Sequence, residues 1–194
     1  MKNTQKDIKL SHVNIFSGLL ILLTTFIFSC EPKEDIIIEE EGDLPALAVL
    51  FEADYINHAW GYQHNGWFLD NHGRVRKYEM PDREEWNTPD NDGYISKESL
   101  EANYDLANTL AGEVSRGIVR QQEDLIAGAI DGEMSDPVNR AADMGGFGWY
   151  CYSWDADKEM YKRQTLGVTG DWEQFNLAPD AQALLKWLQT IQVD

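Results

Sequence analysis

The fold of this chain is decided by residues 147–154, which read Phe147-Gly148-Trp149-Tyr150-Cys151-Tyr152-Ser153-Trp154. Aromatic residues favour β-strands, and successive side chains of a strand point to opposite faces of the sheet. Gly145-Gly146 precedes the run, and the polar residues 155–158 that follow it suit a turn. We therefore expect a strand here that pairs with a returning strand over residues 160–168 in an antiparallel hairpin.

A second hairpin is predicted between residues 60 and 80. Aromatic residues alternate with small or polar ones from Trp60 to His64, and the stretch from Val75 to Met80 would form the returning strand. Gly73 lies between the two and adopts a positive φ at low cost, which suits a hairpin turn. Before this hairpin, the apolar residues 44–53 are consistent with either a short helix or a buried strand.

The rest of the domain shows helical periodicity. Apolar residues recur every three or four positions from Leu100 to Ile118, which predicts an amphipathic helix. A second apolar group over residues 125–130 predicts either a second helix or the continuation of a bent one. Pro179 would begin a last helix. The order β-β-α-α-β-β-α predicts an α+β fold, in which an antiparallel sheet of two hairpins carries helices on one face.

The N-terminus has the layout of a secretory signal. Three lysines in the first nine residues precede a stretch, residues 10–29, without Asp, Glu, Lys or Arg. The Ser29-Cys30 pair at its end resembles the lipobox of bacterial lipoproteins. The resemblance implies that residues 1–29 are removed as a signal peptide, that Cys30 receives acyl chains, and that the protein is an outer membrane lipoprotein, periplasmic or surface-exposed. The alternative is an uncleaved transmembrane helix, since about 20 uncharged residues can span a bilayer.

Composition divides the remainder of the chain into two parts. Residues 30–43 are acidic and contain a proline, which is typical of a solvated tether, here a lipidated one. Within it, Lys33-Glu34-Asp35 resembles a surface-export tag of lipoproteins from some Gram-negative bacteria, although an ordinary charged linker explains it equally well. Residues 44–194 have the size of a single α+β domain, of unknown function. If Cys30 is lipidated, Cys151 has no intramolecular disulfide partner.

The charge of the chain restricts its partners. Its 34 acidic residues outnumber the 16 lysines and arginines, which gives a net charge of −18. Such a chain repels phosphate backbones, so we expect no nucleic acid as a partner. The expected partners are the membrane, through the lipid anchor, and a glycan or protein of the envelope.

A candidate cation site lies in the segment from Thr88 to Ser99, which resembles the calcium loop of EF-hand and dockerin proteins. With Gly93 at the sixth position of that loop, the resemblance implies four calcium ligands: Asp90, Asp92, the carbonyl of Tyr94, and Ser96. Thr88 and Ser99 stand where the loop usually has its first and last acidic ligands. The alternative is an Asp/Gly turn followed by Ser96 as the N-cap of a helix. No other cofactor is predicted.

The aromatic run is also a candidate binding surface. Tyr150, Tyr152 and Trp154 share one face of the expected strand. If that face is open, it forms a platform for sugar rings or for a protein partner. The alternative is that these side chains pack across strands inside the domain.

No catalytic residue is assigned, because the chain contains no nucleophile elbow, P-loop or dinucleotide fingerprint. A group of histidines and acids early in the domain is the only cluster for which we would test catalysis: Asp54, His58, His64 and Asp70. The sequence favours a membrane-anchored binding or interaction module over an enzyme. The alternatives are an envelope hydrolase with an unidentified site and a structural component of the envelope.

Overall fold

The computed structural model describes residues 48–79 and 81–193. Cys30 and the two segments expected over residues 1–43 lie outside these ranges, so the lipoprotein assignment stays a prediction.

An antiparallel sheet of nine strands organises the described residues. The strands are β1 Val49–Asn57, β2 Gln63–Asp70, β3 Arg74–Glu79, β4 Tyr94–Ser96, β5 Thr109–Glu113, β6 Val138–Asn139, β7 Gly146–Asp155, β8 Met160–Gly170 and β9 Trp172–Phe175. Their order across the sheet is β5-β3-β2-β1-β7-β8-β9-β6, and β4 pairs with the other end of β8. β1, β2 and β7 therefore lie in the interior of the sheet.

Both expected hairpins are present. The aromatic run forms β7, which pairs with β8 from Gly146 opposite Gly170 to Asp155 opposite Met160. The second hairpin is β2–β3, and Gly73 in its turn has a φ of 85°. From Val49 onward, the apolar segment before it belongs to a strand, β1, which pairs with β2 on one side and with β7 on the other.

Four helices accompany the sheet in the described residues: α1 Lys97–Leu106, α2 Arg116–Glu123, α3 Ile126–Ala129 and α4 Pro179–Leu188. The helix expected from Leu100 to Ile118 is wrong beyond Leu106, because residues 109–113 form β5 and pair with the open edge of β3. Leu110, which fits the helical stripe, is 57% exposed on that edge strand. None of these helices is long and apolar enough to cross a membrane.

The α+β class with an antiparallel sheet is confirmed, but the expected order and two-hairpin layout are wrong. The observed order is β-β-β-β-α-β-α-α-β-β-β-β-α. β4, β5, β6 and β9 are short strands that extend or flank the two hairpins. Strands of two to five residues carry too few alternations to be distinguished from loops by sequence pattern.

Helices also cover both faces of the sheet, which corrects the expectation of one covered face. Phe68 and Leu69 are successive residues of β2, so they point to opposite faces, and both are fully buried. We call the two sides the α1 face and the α4 face. The α1 face has a core of Val49, Phe68, Tyr78, Ile95, Leu100, Tyr104, Ala107 and Tyr152. The α4 face has a larger core that includes Phe51, Leu69, Val119, Ile126, Cys151, Leu166, Leu184 and Leu188.

Candidate functional site

The most polar part of the interior lies on the α1 face, where β1 crosses the middle of the sheet. Glu52 pairs with Phe68, and Asp54 lies two residues further along β1, so both acids point to the face of Phe68. On the neighbouring strands, His64 and Tyr150 point the same way. Strand alternation alone thus collects two acids, a histidine and a tyrosine on one surface.

Glu52 is the anchored member of the pair of acids. It is 1% exposed, and its two carboxylate oxygens accept hydrogen bonds from the hydroxyls of Tyr78 at 3.1 Å and Tyr152 at 2.5 Å. Nη1 of Arg163 donates a further bond at 3.3 Å. Burial, followed by the nearby Glu52 charge, raises the pKa of both tyrosines well above 10, which keeps them protonated as donors.

Asp54 has fewer partners in a similar environment. It is 7% exposed, and its Oδ1 accepts a hydrogen bond from the hydroxyl of Tyr150 at 3.3 Å. The pKa of Asp54 is raised from 3.8 to about 7. Burial is the main cause and the charge of Glu52 the second, whereas the charge of Arg163 lowers the pKa. Asp54 therefore exchanges a proton near neutral pH, unlike an ordinary carboxylate.

His64 faces Asp54 across the same space, with Nε2 4.0 Å from Oδ2. Burial lowers the pKa of His64 below 6.5. The contact is therefore not an ion pair, because the directions of both shifts favour neutral groups. Nδ1 lies 3.1 Å from the hydroxyl of Tyr62, and Nε2 lies 3.4 Å from that of Tyr78. Since Tyr78 donates to Glu52, these partners assign the Nε2–H tautomer.

Two glycines make room for this arrangement. Asp54 pairs with Gly66 on β2 and with Gly148 on β7, so neither neighbouring strand places a side chain beside it. A Cβ at Gly148 would lie 2.0 Å from the Tyr150 hydroxyl oxygen, and one at Gly66 would lie 2.5 Å from that of Tyr78. The glycines are thus required for the tyrosine hydroxyls to reach the carboxyl groups.

Asp54 opens into a cleft of about 490 Å³, which we call the polar cleft. The segment 81–93 between β3 and β4 forms one wall and contributes Trp86, whose ring meets His64 edge-on at 4.7 Å. The lining includes Asp54, His58, Tyr62, His64, Arg83, Trp86, Tyr150 and Arg163.

Both arginines of the polar cleft are held against aromatic rings. The Cζ of Arg83 lies 3.7 Å from the ring centroid of Tyr62, and Nη2 lies 2.9 Å from Nδ1 of His58. The Cζ of Arg163 lies 4.1 Å from the ring centroid of Tyr150. Such a contact orients a planar guanidinium, and its five N–H donors exceed the side-chain contact that is made with His58 by Arg83 and with Glu52 by Arg163.

The three aromatic residues expected to form a platform are separated. Tyr150 lines the polar cleft, whereas Tyr152 is buried against Glu52. Trp154 is 46% exposed and packs edge-on against Tyr161, with 5.0 Å between the ring centroids. Only Tyr150 therefore reaches the space in which a ligand fits.

A second, more apolar depression lies on the other side of the aromatic run. It holds about 300 Å³, and we call it the aromatic groove. Its lining includes Tyr55, Trp67, Phe147 and Trp149. The rings of Tyr55 and Phe147 pack at a tilt of 40°, with their centroids 4.6 Å apart. Asp54 and Glu79 also border this groove, but the carboxyl group of Asp54 contacts Tyr150 and His64 in the polar cleft.

Three of the four candidate calcium ligands, Asp90, the Tyr94 carbonyl and Ser96, are engaged in a turn and a helix cap. Oδ1 of Asp90 accepts the amide N–H groups of Asp92 at 2.9 Å and of Tyr94 at 2.8 Å, while the Tyr94 carbonyl accepts the amide of Asp90. Oγ of Ser96 accepts the amide of Ser99 as the N-cap of α1. Within the part of the chain that the structure describes, no three His, Cys, Asp or Glu side chains group to hold a metal. Calcium binding here stays a prediction.

Three of the four residues singled out for catalysis lie together. Asp54, His58 and His64 all line the polar cleft. Asp70 does not, because it is fully buried and accepts bonds from the hydroxyl of Tyr104 at 2.5 Å and Nε of Arg74 at 2.7 Å. Sequence reasoning missed Arg163, which has no local signal. It also left Glu52 out of the residues to test for catalysis, although two acids at a spacing of two in an apolar strand are a readable signal.

The chain matches no protein-family model, no curated protein and no solved structure.

Proposed function

We propose that this protein is a lipid-anchored, extracytoplasmic binding protein whose domain holds a carboxylate-bearing sugar in the polar cleft. The observation that carries the proposal is the pair of stacked guanidinium groups, Arg83 on Tyr62 and Arg163 on Tyr150, that line one cleft. Guanidinium groups match carboxylates in shape and charge, and bind them through two parallel hydrogen bonds.

The charge of the polar cleft supports an anionic ligand. The whole chain carries a net charge of −18, yet the cleft contains two arginines. Asp54 carries only about half a negative charge at pH 7, because burial and the nearby Glu52 raise its pKa to about 7. The cleft is therefore a site where an anion escapes the repulsion that the rest of the surface exerts.

The aromatic residues support a sugar as the ligand. Tyr62, Trp86 and Tyr150 line the polar cleft, and the C–H face of a sugar ring packs well on such rings. Trp60, in the loop that connects β1 to β2 and contributes His58 and Tyr62 to the cleft, is 81% exposed. An exposed tryptophan beside a cleft is typical of a binding surface. The volume of about 490 Å³ suits a small ligand.

Calorimetry with the full-length protein in detergent tests this proposal. The probes are four uronic acid tetrasaccharides, made of galacturonate, glucuronate, mannuronate or guluronate, and neutral tetrasaccharides of galactose and glucose. We expect at least one acidic probe to bind and the neutral ones to bind at least tenfold more weakly. Arg83→Met keeps the alkyl stem and should weaken binding about tenfold or more.

Phe147→Ala is the matched control, since it removes an exposed aromatic side chain from the aromatic groove. It should leave binding unchanged. Equal binding of neutral and acidic probes, or a loss of binding in Phe147→Ala but not in Arg83→Met, would show that the ligand or its place is wrong.

The membrane anchor is a separate part of the proposal and rests on the lipobox resemblance at Ser29-Cys30. Two or more acyl chains hold a protein stably at a membrane, which would place the domain at the outer membrane, on its periplasmic or its outer side. Labelling cells with a radioactive fatty acid should mark the native protein and not Cys30→Ala. Label retained by the variant would exclude Cys30 as the acceptor.

A further inference from the structure

We propose that the polar cleft is also a catalytic site, in which Asp54 removes a proton from a bound uronic acid residue and so eliminates the sugar linked to that residue's C4 oxygen. This inference rests on the proposed binding function and adds a reaction to it.

The position of Asp54 is the first argument. A carboxyl group in an interior strand, 7% exposed and with donors from the Tyr150 hydroxyl and the Gly148 backbone but no cationic partner at hydrogen-bonding distance, is costly to the fold when ionised. Asp70 and Glu52, the other buried acids with tyrosine donors, each also have an arginine partner at hydrogen-bonding distance. Asp54 has none, and it is the only one of the three that lines a cleft. Such a group at the bottom of a cleft is a candidate for proton transfer.

Glycines on both neighbouring strands leave room for the carboxyl group of Asp54 and its hydrogen-bond donors. A Cβ at Gly148 would lie 2.7 Å from Oδ1 of Asp54 and 2.0 Å from the hydroxyl oxygen of Tyr150. Gly66 and Gly148 are the two residues that pair with Asp54 across the sheet. A larger residue at either position would break the hydrogen bonds between the tyrosine hydroxyls and the acids.

Every element around Asp54 contributes a group that affects its proton. Glu52 on β1 disfavours its ionised form, Arg163 on β8 favours it, and Tyr150 on β7 donates to it. His64 on β2 and Tyr78 on β3 complete the surroundings. The result is a pKa of about 7, which is the range in which a carboxyl group acts as both base and acid at neutral pH.

The arginines supply the second requirement of the reaction. The hydrogen at C5 of a uronic acid is adjacent to the carboxylate, and its removal places negative charge on that group. Arg83 and Arg163 both line the cleft, and each lies over the ring of a tyrosine in its wall, Tyr62 and Tyr150 respectively. A guanidinium group in contact with that carboxylate stabilises the developing charge in a partly dehydrated site.

The reaction balances without water, oxidant or reductant. The Asp54 carboxylate takes the C5 proton, and the electron pair of the C5–H bond becomes the second bond between C4 and C5. The C4–O bond breaks, and its electron pair stays on the oxygen of the departing sugar. Asp54 returns the proton to that oxygen, which regenerates its carboxylate and leaves a 4,5-unsaturated uronate and an alcohol.

The test uses the full-length protein and the four uronic acid tetrasaccharides named above. The double bond is conjugated with the carboxylate, so its formation is followed by ultraviolet absorbance. We expect turnover of a bound probe, and a decrease of 10²–10⁴-fold in kcat for Asp54→Asn. Asp54→Asn should change the dissociation constant less than threefold. Asp143→Asn, an exposed loop residue outside the polar cleft, should keep the native rate.

The pH profile separates a catalytic from a merely structural role. The native rate should rise with pH through about 7 as Asp54 ionises, and the residual rate of Asp54→Asn should lack that step. If a probe binds and no double bond forms, the elimination is wrong and the binding function stands. If no acidic probe binds, the proposed function itself fails. A native rate in Asp54→Asn would overturn the role of Asp54.

Discussion

Glu52 and Asp54 differ in their partners although they lie two residues apart on one strand face. Glu52 accepts two tyrosine hydroxyls and an arginine N–H, which compensates for its removal from water. Asp54 accepts one hydroxyl and a backbone N–H of Gly148, has no arginine at hydrogen-bonding distance, and lies beside the charge of Glu52. Glu52 therefore stabilises the fold, whereas the ionised form of Asp54 destabilises it. Asp54 is accordingly the reactive group of the polar cleft.

This difference predicts how Asp54→Asn changes stability with pH. The folded-state pKa of about 7 exceeds the ordinary 3.8, so the folded protein binds the proton more tightly than the unfolded chain does. Wild-type stability should thus fall as pH rises from about 4 to about 7, by on the order of 4 kcal/mol from this group. Asparagine does not titrate. Urea unfolding should show Asp54→Asn gaining on the wild type between pH 4 and pH 8.

Glu52→Gln is the matched control for that measurement, and its effect should have the opposite sign. It removes the charge that pairs with Arg163 and should destabilise the protein by about 3–5 kcal/mol at pH 8. A difference between Asp54→Asn and the wild type that stays constant from pH 4 to pH 8 would show that the pKa of Asp54 is ordinary.

At the scale of single elements, the β2–β3 turn depends on a glycine for two reasons. Gly73 has a φ of 85°, and a Cβ there would lie 2.0 Å from the carbonyl oxygen of Val114, whose amide bonds the Gly73 carbonyl at 2.8 Å. Gly73→Ala should therefore lower the free energy of unfolding by about 2 kcal/mol or more, because strain and a clash combine. Chemical denaturation measures this.

Gly117→Ala provides a control of opposite sign. Gly117 is the second residue of α2, and nothing lies within 4 Å of an added Cβ. Alanine there should stabilise the protein by about 0.5–1 kcal/mol, because it restricts the unfolded chain and favours the helix. If Gly73→Ala did not lower the free energy of unfolding, the contact between the turn and Val114, at the end of β5, would not contribute to stability.

The same elements show what sequence could predict. The β7–β8 hairpin was accessible because its aromatic residues alternate over a full strand, and Gly73 identified the other turn. β5 could not be predicted, because Leu110 continues the helical stripe of α1. Residues 109–113 form a strand because they pair with the open edge of β3. The covering of both faces depends on Phe68 and Leu69 being buried together, which follows from tertiary packing.

The polar cleft was only half accessible for a similar reason. Asp54, His58 and His64 are near one another in sequence, so they could be grouped in advance. Tyr150 and Arg163 come from the other hairpin, about a hundred residues away, and they join the site through the pairing of β1 with β7 and of β7 with β8. The register of these strand pairs determines the positions of Tyr150 and Arg163. The local sequence pattern carries no information about the register between distant strands.

At the scale of the whole molecule, a net charge of −18 surrounds a cleft with two arginines. The net charge of the surface and the arginines of the cleft act over different distances. Repulsion by the whole surface reaches about 30 Å at 0.01 M salt and about 8 Å at 0.15 M, whereas contacts of Arg83 and Arg163 with a bound carboxylate act within a few ångströms. Salt should therefore weaken the repulsion more than the binding contacts.

The binding of an acidic tetrasaccharide should consequently become faster when salt is raised from 0.01 to 0.15 M, which is the reverse of ordinary steering between opposite charges. Stopped-flow measurement of the tryptophan fluorescence, with Trp86 in the cleft wall, would follow association. Arg83→Met should show the same salt-dependent increase at lower affinity, because it leaves the surface repulsion in place. A steady decrease of the association rate with salt would mean that the arginines, and not the acidic surface, govern how the ligand approaches.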